Sequence, residues 1–107
     1  MIDTKAKILD IAMNLNRMGN WAADGYDQKK DRIITFLKNT QGYMREIDDI
    51  VIPDVFADTY STFLKKYKIL EKTGFSGPKN PLYWAEDMMT WGNILTHRAS
   101  LLNEGGD

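Results

Sequence analysis

Residues 53–72 read PDVFADTYSTFLKKYKILEK, and the spacing of the large side chains in this stretch decides the fold class. Phe56, Tyr60, Phe63, Leu64, Tyr67 and Leu70 recur every three or four positions. At 100° per residue they share one stripe, as the face of an amphipathic helix does, and the run is too long for a typical strand. Asp54 and Asp58 fall well outside the stripe, in the first turns, where carboxylates favour the positive end of the helix dipole. Pro53 or Asp54 opens this helix, and Gly74, just after Lys72 and Thr73, is its expected stop.

Outward from this stretch, Pro and Gly mark the remaining joints. Pro53, Pro78 and Pro81 each fit a helix boundary, Gly19 and Gly25 bracket a first connection, and Gly74 and Gly77 open another. Three further segments result. From about Tyr26 to Asp48, one face carries Tyr26, Ile33, Phe36, Leu37, Thr40, Tyr43, Met44 and Ile47, with Asp27, Asp31, Lys38 and Arg45 opposite. From about Pro81 to Leu102 the stripe is Trp84, Met88, Trp91, Leu95 and Leu102. The segment from about Asp3 to Met18 has an apolar arc wider than about 200°, more than one core normally requires. The stretch Asp49-Ile50-Val51-Ile52 either finishes the second helix or crosses in extended form to Pro53. Amphipathic helices joined by short connections predict an all-α, antiparallel up-down-up-down four-helix bundle. It is expected to occupy residues 1–102 as one domain, with 103–107 as a flexible C-terminal tail.

Composition removes several classes of function. The 107 residues carry 14 Lys and Arg against 15 Asp and Glu, a net charge of −1. That balance argues against nucleic-acid and membrane-surface partners. There is no Cys, which excludes disulfides, thiolate zinc sites and thiol nucleophiles, and one His excludes a multi-histidine metal centre. No apolar run approaches a membrane span and the N-terminus lacks a signal-peptide core, so a soluble, cytoplasmic protein without cofactors is expected.

Chemistry-bearing residues fall in a few places. Glu46, Asp48, Asp49, Asp54 and Asp58 surround the second joint, but the helical wheel turns them outward, so a solvated acidic corner is expected and no metal site. His97 lies towards the polar edge of its helix, without the His-x-x-Lys-Gly pattern of phosphotransfer bundles, and reads as a surface histidine. Asp87 and Arg98 are charges inside an apolar arc. Being 11 residues apart, about 16 Å along a helix, they cannot neutralise one another. Arg17, Lys29 or Arg32 are possible partners for Asp87, and Asp10 for Arg98. The pair reads first as a register or subunit-contact device, and Arg98 as a candidate anchor for an anion.

Antiparallel packing also gathers aromatics at one end. Arg17, Trp21, Tyr26, Phe75, Tyr83, Trp84 and Asp87 form a candidate ligand or partner surface there, or else a plug that closes the core. The first segment shows two apolar stripes: Ala6, Leu9 and Met13, and Ile8, Ile11, Leu15 and Met18. Two stripes fit either a central helix or a surface covered by a second copy, so a homodimer is expected. No nucleophile–base–orienter set can be assembled from the spacing. The reading is a non-enzymatic interaction or regulatory module that self-associates through its first helix. Its alternative is a small-molecule or nucleotide-binding helical protein, even a hydrolase, using the aromatic end.

Overall fold

The computed structural model of the chain describes residues 4–48 and 52–102. Helix α1 runs Thr4–Asp48, 45 residues. A straight helix of that length would span about 67 Å, whereas the longest extent of the molecule is 44 Å. The difference is absorbed at a single residue. Gly25 has φ 160° and ψ 94°, extended rather than helical, and the residues on both sides of it are helical. The two arms of α1 lie antiparallel. Lys7 Nζ sits 2.7 Å from Glu46 Oε2, and the Trp21 and Phe36 rings meet edge-on at 4.9 Å.

Helix α2 runs Asp54–Ser76 and α3 runs Pro81–Ala99. The expected four-helix bundle is therefore corrected to an all-α fold of three helices, because the connection foreseen between Gly19 and Gly25 does not form. Gly19 lies inside α1 and is there for packing. A Cβ on it would overlap Met89 and come within 2.9 Å of the Ala85 carbonyl oxygen. Gly74 repeats this. The expected stop lies inside α2, where a Cβ would meet Trp84 at 2.8 Å and Leu37 at 2.9 Å. The helix ends at Gly77, whose φ of 94° suits a residue without Cβ and whose N–H donates to the Thr73 carbonyl at 2.9 Å. Helix α3 starts as its sequence suggests: Asn80 Oδ1 accepts from the Tyr83 N–H at 3.2 Å and Pro81 takes the first turn. It closes at Ala99, three residues before the expected end at Leu102. The joint at Asp49, Ile50 and Val51 and the tail at 103–107 lie outside the described residues.

The three helices pack in two different ways. Where the first arm of α1 meets α3, small residues let the backbones approach: Gly19 faces Ala85 and Met89, and Gly92 faces Asn16 so closely that a Cβ would lie 2.8 Å from that side chain. Helix α2 instead presents rings. Phe56, Tyr60, Phe63 and Tyr67 are buried at successive turns, with centroids 5.3–6.0 Å apart along the ladder. Rings of that size hold α2 away from its neighbours, so open grooves flank it while the α1–α3 contact is closed. Of the two apolar stripes of the first segment one is buried within the chain, while the other, with Ala6 exposed, is largely left at the surface. Ile8, Ile11, Leu15 and Met18 are fully buried in the core, Leu9 is half-buried, and Met13 is left 48% exposed.

A polar group at the centre fixes the register of the hairpin. Asn14 is buried, and its Nδ2 donates to Asn39 Oδ1 at 2.9 Å and to Thr40 Oγ1 at 3.1 Å. The Thr40 hydroxyl in turn donates to the Phe36 carbonyl at 2.7 Å. Beside it the buried Tyr67 hydroxyl makes no hydrogen bond of normal geometry. Burial, aided by the charge of Glu71 and opposed by Thr40, pushes the Tyr67 phenol well above its ordinary value of 10.0. Tyr26 is raised by burial and then by Asp27, and Lys7 is raised by its hydrogen bond to Glu46. All three shifts are upward, so the stability they supply is complete below about pH 10 and is lost as pH climbs through the folded-state values. We expect Tyr67→Phe to be neutral or to gain up to about 1 kcal/mol at pH 7, since it removes a buried hydroxyl without a partner. It should also lessen the loss of stability between pH 9 and 11 (approximate bounds). Urea midpoints of both proteins across that range check this. A cost above about 1.5 kcal/mol at neutral pH would mean that the hydroxyl is satisfied after all.

Candidate functional site

The residues expected to form one aromatic surface are divided by the fold. Tyr26 and Trp84 are core side chains, 5% and 3% exposed. The Tyr26 hydroxyl donates to the Gly74 carbonyl, Trp84 Nε1–H donates to the Leu70 carbonyl at 2.9 Å, and the two rings meet edge-on at 5.9 Å. Their polar atoms are thus used to tie the second arm of α1 and the start of α3 to the end of α2. Arg17 and Trp21 belong to the α1 hairpin. The Arg17 guanidinium lies 5.9 Å from the Phe36 ring centre, and that of Arg32 lies 5.9 Å from the Trp21 ring centre. Phe75 packs half-buried on the core and Tyr83 is exposed. Asp87 faces α2, in a recess with Lys66, Ile69, Leu70 and Trp91, and none of the proposed Arg17, Lys29 and Arg32 borders it.

The acidic corner is likewise dispersed. Glu46 pairs with Lys7, Asp54 and Asp58 are exposed, and the Asp48 side chain and Asp49 lie outside the described residues. Among the described residues no group of three or more acidic or histidine side chains converges as a metal would require. No described helix is long and apolar enough to cross a membrane.

What the sequence reading did not assemble is a groove along the outer side of α2 and α3. At one end it is an open recess of about 580 Å³ bordered by Asp58, Thr62, Trp91, Ile94, His97 and Arg98. At the other, Lys66, Ile69 and Asp87 border about 230 Å³. Trp91 borders both recesses, its half-buried indole standing between them. The indole is backed by Phe63, 5.8 Å away centre to centre. A second groove of about 390 Å³ runs on the other flank of α2, bordered by Met44, Arg45, Leu64 and Lys68.

This explains the charges inside the apolar arc of the last helix. Asp87 and Arg98 are exposed residues of a groove that the ring ladder keeps open, and neither makes an ion pair among the described residues. Arg98 shares its end of the groove with Asp58, which disfavours a bare anion there. The signal that points to the groove is the contrast between small residues on α1 and α3 and rings on α2. Comparison with family models, with curated proteins and with solved structures finds no match.

Proposed function

We propose that the chain is a non-enzymatic interaction module that takes an amphipathic helix of a partner protein into the α2–α3 groove. The observation that carries this reading is the two recesses on either side of Trp91, with Ile94 in one and Ile69 in the other, and a charge of each sign in each. A half-buried Trp backed by a ring is the usual kind of anchor in such contacts. An apolar floor between two helices suits the helix-in-groove mode, and the mixed rim would set the orientation of the partner. Ile69 supports it further, being a large apolar side chain left 66% exposed at the rim. No observation favours the small-molecule alternative. The aromatic end is filled by Tyr26 and Trp84, and the shallow recess beside it is bordered by Asp24 and Asp27, which would repel a nucleotide's phosphates.

The test uses peptides selected for binding from a library of amphipathic helices. Added to the labelled protein, they should shift the indole N–H resonance of Trp91 and leave that of Trp21 in place. Ile69→Asp and Arg98→Glu change exposed side chains, so both variants should keep the wild-type Tm while each weakens binding at least about fivefold. Binders that leave the Trp91 resonance unmoved and are indifferent to both changes would overturn the reading.

A further inference from the structure

We infer that α1 can straighten at Gly25 and exchange its first arm with a second copy of this chain, giving an arm-swapped dimer. The reversal is confined to one residue, with Asp24 and Tyr26 helical on either side, so no loop has to be dismantled for α1 to become a single rod. A reversal made this way ends two helical runs, and each end leaves backbone groups that an unbroken helix would pair. A connection this short is the kind across which elements are exchanged between copies.

The chemistry of the partner is fixed by what the first arm touches. Its contacts are Lys7 with Glu46, Asn14 with Asn39 and Thr40, Asn16 with Gly92, and Gly19 with Ala85. Each joins a residue before Gly25 to one after it, so each can be remade unchanged between two chains. No other molecule offers that surface. The closed and exchanged forms then differ only at the hinge and in the concentration dependence of association. The groove between α2 and α3 takes no part in the exchange, so this inference does not rest on the proposed function.

The chain has no Cys, so a variant carrying Lys7→Cys and Glu46→Cys has no other thiols. Refolded at increasing protein concentration, then diluted and treated with a short bis-maleimide that spans the length of the two side chains replaced, it reports the state of the arm on a denaturing gel. A closed hairpin is bridged within one chain and runs as a monomer, whereas an exchanged pair is bridged between chains and runs as a covalent dimer. The covalent dimer should grow with refolding concentration. Gly25→Ala should raise the dimerisation constant about 25-fold, because Ala favours helix over Gly by about fivefold at each of the two hinges. Inserting Gly-Ser-Gly after Gly25 should abolish the dimer by giving the hairpin a true loop. Bridges that stay within one chain at every concentration would overturn the inference. So would a dimer by light scattering whose bridges are all internal, since that is association through another surface. Should Gly25→Ala fail to fold, the concentration series in the otherwise unaltered chain decides alone.

Discussion

Phe63→Ala should destabilise the protein by about 3–5 kcal/mol, the largest effect expected of any single truncation here. Phe63 is fully buried at the centre of the ring ladder, with Tyr60 at 6.0 Å, Tyr67 at 5.3 Å and Trp91 at 5.8 Å. Two costs combine. The ring loses its transfer free energy, and the space it leaves cannot close easily, because flanking rings of similar size already hold α2 at a distance. For a domain of this size the loss lowers Tm by more than about 12 °C. Denaturant unfolding with an unchanged slope would assign the effect to the folded core. A loss below about 1.5 kcal/mol would show that α2 can settle into the vacancy, and that the rings are not what sets its spacing.

Gly19→Val should cost about 3 kcal/mol by the opposite route, overpacking instead of a void. Any Cβ at this position meets the Ala85 carbonyl within 2.9 Å as well as Met89. Met89 is flexible and can move, but the carbonyl is backbone and part of α3. The two helices must therefore separate locally, and that breaks contact along the most closely packed pair in the fold. Gly42→Ala is the control. Nothing lies within 4 Å of a Cβ there, so the better helix former should gain up to about 1 kcal/mol. Thermal or urea unfolding of both variants checks the contrast. Equal effects of either sign would mean that backbone entropy, and not space, governs these glycines.

The stripes of α2 and α3 were legible because large apolar side chains repeating at helical spacing along one face have little use except burial. Phe56, Tyr60, Phe63, Tyr67 and Leu70 are all buried as the spacing requires, and so are Trp84, Met88 and Leu95. Glycine misled. Gly19 and Gly74 read as punctuation because Gly is a weak helix former, yet each is helical and serves the close approach of a neighbour, which no local pattern records. Gly25, the true reversal, has the same composition signal as Gly19. What separates the two is the backbone, extended at Gly25 and helical at Gly19, and the neighbour that Gly19 admits.

The candidate site was legible in fragments. Asp87 and Arg98 stood out as charges where the wheel asked for apolar groups, and the structure places both in the groove beside Trp91. Their surroundings were not legible, because a groove between two helices depends on how far apart they stand. That distance is set by the bulk of Phe63 and Tyr67 on one side and by Gly19 and Gly92 elsewhere. Whether the aromatic end is a surface or a plug was open for a related reason. Tyr26 and Trp84 turn inward once their polar atoms find the Gly74 and Leu70 carbonyls, and those partners are 48 and 14 residues away along the chain.

The contrast between a closely joined helix pair and a third helix held off by rings also sets how such a sequence can diverge. At Gly19 a Cβ must move the Ala85 carbonyl and at Gly92 it must displace the Asn16 side chain, so related chains sharing this architecture would keep those positions small. Along the ladder the requirement is bulk, and one ring can stand in for another with modest adjustment. Lineages would then drift fastest where α2 looks out onto its grooves, leaving the scaffold recognisable mainly by its smallest residues while the contact surface is free to follow a changing partner.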